Sequence, residues 1–436
     1  MKVKITPAPL AGEVEAIASK SVAHRHLICA AVSDVPTELV LKTSSEDINT
    51  TANCLRSLGA VIEQREGSLL VNPIKEPDAK PMLDCNESGS TLRFLLPLAA
   101  SCSDQVQFTG RGRLPERPLG ELISAMQQNG VEFSADCLPL TTNGRLKSGI
   151  YTLPGNISSQ YVSGLLLALP RLEGTSEIVL TTPLESTDYV NITLEVLEQY
   201  GIVIEQEGDH FVVPGGQQFR SPKSVTIEGD WSNAAFFLAA GALSSGVPSV
   251  FSLAIGDLSA SMSMTGLSPH SPQGDRKIVD FLRQFGAQLT QETNLDPHQV
   301  RVFAAPLRGT TIDIGETPDL LPVLAVVAAC AIGETRFTNA ARLRLKESDR
   351  LQATAALLRS LGGNVEELPD GLLVRGGKLT GGVVDSFNDH RIAMTAAVAA
   401  IACTEPVIIQ GADAVAKSYP AFFTDYQKLG GVVDVI

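Results

Sequence analysis

One phrase recurs six times along the 436-residue chain: a helical run, a glycine, then a short apolar strand. The copies are "CLRSLGAVIEQ", "AMQQNGVEFSA", "VLEQYGIVIEQ", "FLRQFGAQLTQ", "LLRSLGGNVEE" and "YQKLGGVVDVI". Their glycines are Gly59, Gly130, Gly201, Gly286, Gly362 or Gly363, and Gly430. Glycine just past a helix is the expected stop, because it enters the left-handed conformation without steric cost. The alternation that follows suits a half-buried strand. The copies lie about 70 to 85 residues apart, too far for solenoid repeats and enough for each to be a small α/β unit of its own.

Six such units predict two domains of three, with either a helical core wrapped by sheets or the reverse. The length agrees, since 436 residues exceed one ordinary core. Turn-rich residues at 215–233 give way to "AAFFLAAGAL", a crossover between domains. The longest apolar run, Leu320 to Gly333, is shorter than the roughly 20 residues of a membrane span and carries Pro322, so it reads as a buried helix. The first residues hold no apolar core of signal-peptide type. Seven cysteines without a CxxC pair, and six histidines without ligand spacing, predict free thiols in a reducing cytoplasm and no metal site.

The net charge is −14, which leaves no footprint for nucleic acid or an anionic membrane. Against that background, cations gather where helices start. Lys20, Ser21 and Arg25 open one run; Ser88, Gly89, Ser90 and Thr91 precede Arg93 in another. Arg111, Arg113 and Arg117 sit in a Gly/Pro loop before a helix expected to begin at Pro118. Ser158, Ser159 and Gln160 head a fourth, and Asp319 heads the apolar run at 320. Lys346, Glu347, Asp349 and Arg350 crowd "LRLKESDRL"; His390, Arg391 and Lys417 complete the set. Taken singly, each reads as an ordinary capped helix with solvated charge. Together they oppose the helix dipole repeatedly, where a surface shaped for stability alone would carry Asp or Glu. That pattern points to anion binding, with Arg25, Arg93, Arg350 and Arg391 meeting in one pocket if the helices share a cleft. Asp319 and Glu347, set among the cations, are candidates for acid–base work. No Walker loop, dinucleotide fingerprint or Ser-His-Asp order is present.

In order along the chain, "SKSVAHR", "ESGSTLR", "LPERP", "SSQ", "ESTDYVNITL", "TPD", "LKESDR", "NDHR" and "AKSYP" closely resemble the 5-enolpyruvylshikimate-3-phosphate synthase family. The resemblance implies two similar domains, each of three βαβαββ units in an inside-out α/β barrel, with substrates in the cleft between them. It implies residues 1–18 plus 229–436 as one domain and 19–228 as the other. The implied reaction moves the enolpyruvyl group of phosphoenolpyruvate to the 5-hydroxyl of shikimate 3-phosphate, releasing phosphate, through a tetrahedral intermediate and without metal or organic cofactor. The two substrates carry about five negative charges. By matching motif, shikimate 3-phosphate meets Lys20, Ser21, Arg25, Ser158, Ser159, Gln160, Ser186, Tyr189, Asp319 and Lys346. Phosphoenolpyruvate meets Lys20, Gly89, Arg117, Gln160, Arg350, Arg391 and Lys417. Asp319, Glu347 and Lys20 are the implied catalytic residues, and Asp349 orients an arginine or caps the helix.

The chain departs from one well-known version of that family at Asn86 and Glu87, at Phe94 (a proline there) and at Arg342 (an asparagine there). Gly89 is retained, and sensitivity to glyphosate, the family's phosphoenolpyruvate mimic, is expected. An insertion at 258–275 is either a plain loop or a means of bringing Gln273 and Asp275 near the cleft. The alternative is the sister enzyme acting on UDP-N-acetylglucosamine, but its loop cysteine is absent between Cys102 and Cys137. An RNA-end-binding protein of related fold, or an inert scaffold, fits the charge and the intact motifs less well. A monomer with no macromolecular partner is expected.

Overall fold

The computed structural model describes residues 1–244, 261–292 and 298–436. It divides into two compact units, one of Met1–Ile17 with Glu228–Ile436 and one of Ala18–Ile227. Six four-stranded sheets are described, and all follow one plan. In the second unit, Met82–Asp84 runs parallel to Gln105–Thr109 across the helix Gly89–Cys102. The helix Gly120–Gln127 then leads to Glu132–Phe133, antiparallel to Leu140–Asn143, which pairs back onto Gln105–Thr109. This is a βαβαββ unit.

Remote segments complete three of the sheets. Ser224–Thr226 supplies the parallel partner of Thr37–Val40. The N-terminal strand Lys2–Thr6 lies between Val407–Gln410 and Val432–Val435, and Gly12–Glu15 runs parallel to Ser261–Thr265.

Helices, not sheets, form the middle of each unit. Every residue of Trp231–Leu243 and of His390–Ala400 is buried, as are all but the last of Leu321–Cys330. Pro322 sits in the first turn of that last helix, where its missing N–H costs nothing. The strands alternate: Leu83, Val106, Phe108 and Leu140 point inward between exposed or half-exposed neighbours. The second helix of each repeat is amphipathic; Ile278–Phe285 buries Ile278, Val279, Phe281, Leu282 and Phe285 and exposes Asp280 and Arg283. Close helix packing explains Gly164, where a Cβ would lie 2.3 Å from the Arg93 carbonyl oxygen.

The six recurring glycines, with Gly362 as the fifth, all have φ between 74° and 109° and follow helices ending at Ser57, Gln127, Gln199, Phe285, Ser360 and Lys428. Two echoes have shortened strands: after Gly130 only Glu132–Phe133 pairs, and the other follows Gly201. After Gly201 only Glu205–Glu207 is a strand, because the Gln217 amide takes both the N–H and the carbonyl of Val203, at 2.8 and 2.9 Å, in place of a neighbouring strand. The 258–275 segment is also not a plain loop. Ser261–Thr265 is a fully buried strand, while residues 258–260 lie outside the described residues.

Candidate active site

The buried helices begin with the residues singled out above, and each unit builds its own constellation. In the second unit, Ser19 accepts from the Val22 N–H and caps Lys20–Ala31. Ser88 caps Gly89–Cys102 and Ser158 caps Ser159–Ala168 in the same way. Lys20 therefore stands at the first helical position, where its ammonium pairs with Asp47 Oδ2 at 2.8 Å. Arg25, one turn on, is buried and uses four of its five N–H groups: Nε on Thr193 Oγ1 at 2.7 Å, Nη1 on the Ser21 carbonyl, and Nη2 on Ser163 Oγ and the Tyr189 carbonyl. Its guanidinium carbon lies 4.8 Å from the centroid of Phe94. Burial pulls its pKa down to about 9, against Tyr189 and Cys29.

Arg93 donates to Gln160 Oε1 and to the Pro118 carbonyl, both at 3.1 Å, and Gln160 Nε2 donates to Ser90 at 2.9 Å. A Cβ on Gly89 would lie 2.5 Å from Arg117 Nη1 and 2.6 Å from Arg93 Nη1, so the glycine turn is walled by two guanidinium groups. Of the three loop arginines only Arg117 turns inward. Arg111 is exposed near Asp84, and Arg113 is half-exposed beside Glu116. The helix expected at Pro118 begins at Gly120 instead, because residues 114–116 close a 3₁₀ turn and Arg117 adopts an extended backbone. Ser186 is buried at φ 56° before Thr187–Gln199, a left-handed placement costly for a non-glycine residue; Tyr189 follows one turn later, half-buried.

In the first unit, carboxylates join the cations. Arg350, 1% exposed, opens Arg350–Ser360 and binds three of them: Asp389 through Nε at 2.8 Å, Asp319 Oδ1 through Nη1 at 2.7 Å and Glu347 Oε2 through Nη2 at 2.7 Å. Arg391 Nη2 holds the other Asp319 oxygen at 2.8 Å, and Lys346 Nζ lies 4.0 Å from Asp319 Oδ1. Burial pushes the Asp319 carboxyl up, but Arg391, Lys346 and Arg350 outweigh it and hold the group well below the ordinary carboxylate range. Burial pulls Lys346 down to about 8, with Asp319 opposing. Burial also disfavours charged Arg350, yet Asp389, Glu347 and Asp319 keep its pKa above the usual arginine value.

Asp349 takes both roles read from the sequence: it caps its helix through the Gln352 N–H at 3.0 Å and receives Arg344 at 3.0 Å. Lys417 donates to the Asn388 carbonyl at 2.5 Å, in a turn where Phe387 and Asn388 both have positive φ. His390 is buried at the first position of its helix, Nδ1 3.8 Å from Asp389 Oδ1. Arg342 donates to the Gly315 carbonyl at 2.6 Å. Asp275 is buried and accepts from Ser232; burial, then the charge of Asp319, pushes its pKa up to about 6.

Sequence reasoning missed Asp47, Thr193 and Asp389. Asp389 had a local signal, an acid directly before a helix headed by cations; Thr193, buried in the middle of Thr187–Gln199, had none.

Cations and hydroxyls at the heads of buried helices, with ionised carboxylates among them, define a class of enzyme: one that performs acid–base chemistry on small polyanions. Comparison with known proteins sharpens that to a family. A profile of "EPSP synthase (3-phosphoshikimate 1-carboxyvinyltransferase)" matches residues 5–426. A 3-phosphoshikimate 1-carboxyvinyltransferase of Clostridium novyi is 40% identical over 99% of this chain and 98% of its own length. That of Clostridium kluyveri is 42% identical with the same coverage. A solved EPSP synthase from Acinetobacter baumannii superposes with a TM-score of 0.81 at 26% identity over 100% of both chains. The enolpyruvyl transferase NikO of Streptomyces tendae, at 18% identity and a TM-score of 0.78, shares the fold. The chain belongs to the EPSP synthase family and is a transferase of the 1-carboxyvinyl type. Among the described residues no helix is long and apolar enough to cross a membrane.

Proposed function

We propose that the chain transfers the enolpyruvyl group of phosphoenolpyruvate to the 5-hydroxyl of shikimate 3-phosphate and releases inorganic phosphate. The reading takes shikimate 3-phosphate to Ser21, Arg25, Ser158, Ser159, Gln160, Ser186, Tyr189 and Lys346, and phosphoenolpyruvate to Lys20, Gly89, Arg117, Arg350, Arg391 and Lys417. Asp319 accepts the hydroxyl proton as the oxygen attacks the enol carbon; Glu347, or Lys20, delivers a proton to the methylene carbon. In the elimination that follows, the same group takes back a methyl proton as the C–O bond to phosphate breaks, and the hydroxyl proton held by Asp319 leaves with the phosphate, so the protons balance.

The observation that carries this reading is that Asp319 and Glu347 share the Arg350 guanidinium, with Arg391 on the second Asp319 oxygen. So tightly held, Asp319 is ionised but weakly basic. An incoming anion competes for those same guanidinium groups, loosens their hold on Asp319 and raises its proton affinity when the acceptor hydroxyl is present. The base is thereby armed by its co-substrate. The enzyme acts as a cytoplasmic monomer and is inhibited by glyphosate in competition with phosphoenolpyruvate.

The test is phosphate release with both substrates. We expect release that needs both, and a kcat lower by about 10²–10⁴ in Glu347→Gln with thermal stability retained. A folded wild-type protein that releases no phosphate would overturn the reading, and UDP-N-acetylglucosamine would be the next acceptor to try.

A further inference from the structure

A run of buried polar side chains crosses the second unit away from the groups assigned above. His24 Nδ1 lies 2.7 Å from Thr51 Oγ1, Thr51 Oγ1 lies 2.7 Å from Thr91 Oγ1, and Thr91 Oγ1 lies 2.8 Å from Ser88 Oγ. None of the four is more than 1% exposed. The run joins three helices, Lys20–Ala31, Glu46–Ser57 and Gly89–Cys102. Ser88 also accepts the Thr91 N–H at 3.3 Å, which is the cap of the helix headed by Gly89. On Glu46–Ser57, Asp47 and Thr51 stand four residues apart on one face. The first holds Lys20 and the second holds His24 and Thr91.

The protons can be counted. Each hydroxyl has one. If Thr91 gives its proton to Ser88, the Thr51–Thr91 bond must use the proton of Thr51. Thr51 then has none for His24, so the His24–Thr51 bond must use an Nδ1–H. The opposite direction would put the imidazole proton on Nε2, which is buried without a hydrogen-bond partner. An orphaned buried N–H is rarer than an under-used acceptor, so the first direction is favoured. Burial, then Lys20 and Arg25, push the His24 pKa well below its ordinary value, so the ring stays neutral and a single tautomer is meaningful.

We propose that His24–Thr51–Thr91–Ser88 is a one-directional positioning chain that fixes the Gly89 turn relative to Lys20 and so sets affinity for the phosphoenolpyruvate-class anion rather than the rate of chemistry. The assignment of that anion to the turn rests on the function proposed above. Two guanidinium groups lie within 2.6 Å of where a Gly89 Cβ would be, so any shift of the turn changes its spacing from both. With the Thr91 N–H occupied by the cap, the Gly89 and Ser90 N–H groups face outward from the helix start.

Two measurements test it on the full chain. Long-range ¹H–¹⁵N NMR, with His24 assigned by its loss in His24→Gln, should report the Nδ1–H tautomer; an Nε2–H tautomer would overturn the chain's direction. Steady-state kinetics of Thr51→Val, which breaks both Thr51 hydrogen bonds, should show KM for phosphoenolpyruvate raised roughly fivefold to tenfold, with kcat within about twofold. Thr51→Ser should restore KM. A fall in kcat at unchanged KM, or a Thr51→Ser enzyme as impaired as Thr51→Val, would sink the proposal. If Thr51→Val does not fold, the tautomer and Thr51→Ser decide. If the wild type turns over neither substrate, the function fails while the NMR still judges the chain.

Discussion

The two units share a plan and differ in what they place at the heads of their helices. In the second unit Arg25 and Arg93 hydrogen-bond to hydroxyls, an amide oxygen and backbone carbonyls. In the first, Arg350 and Arg391 are locked to Asp319, Glu347 and Asp389. The caps differ alike: Ser19, Ser88 and Ser158 against Asp230, Asp349 and Asp389. A guanidinium resting on neutral acceptors keeps its charge available to an anion. One resting on carboxylates also lowers their proton affinity, and an anion must compete with them for it. On the proposed function both units bind substrate anions, and the first adds the carboxylates Asp319 and Glu347.

The contrast can be broken in several ways. Asp319→Asn should lower kcat by about 10²–10⁴, far more than any hydroxyl deletion in the second unit, as phosphate release would show. Equal losses in Ser159→Ala would erase the distinction. Next in size is stability. Asp389→Ala leaves Arg350 buried with one partner fewer and should cost about 3–5 kcal/mol. Ser158→Ala should cost only about 1 kcal/mol, the ordinary value of a cap. Denaturant unfolding of the pair measures the gap, and equal costs would mean that Asp389 is only a cap.

Gly89→Ala sharpens the comparison in the second unit. The added methyl meets only the ends of flexible arginines, so Tm should hold while KM for phosphoenolpyruvate rises about tenfold and glyphosate inhibition weakens at least as much. The smallest effect is a pH dependence. Lys346 keeps its proton only up to about pH 8 in the folded chain, against 10.5 unfolded. Between those values the unfolded state binds more protons, so this residue's contribution to stability rises with pH while its charge is lost. KM for shikimate 3-phosphate should climb above about pH 8, and Lys346→Arg, which cannot deprotonate there, should remove the bend.

Much of this was legible in the sequence because it is local. Helix–Gly–strand repeats announce themselves through the left-handed glycine stop, and Gly59, Gly130, Gly201, Gly286, Gly362 and Gly430 all take it. Cations set against a helix dipole are visible wherever a helix start is. What sequence could not say is which polar groups meet across hundreds of residues. Composition and spacing left Arg111, Arg113 and Arg117 equivalent; the family motif singled out Arg117, and packing turns it toward Gly89. Sequence offered Asp319 and Glu347 as carboxylates among cations, but not that one guanidinium would hold both.

By itself, then, the sequence determined the repeat, the glycine stops of its helices and the residue types near each helix head, since these follow from backbone preference and hydrophobic period. The tertiary structure alone decided the partners. Lys2–Thr6 pairs with strands more than 400 positions away, and Asp389 reaches Arg350 across 39. A buried charge is stabilised only by groups that touch it, and contact across a folded core is a property of packing that no stretch of sequence carries alone.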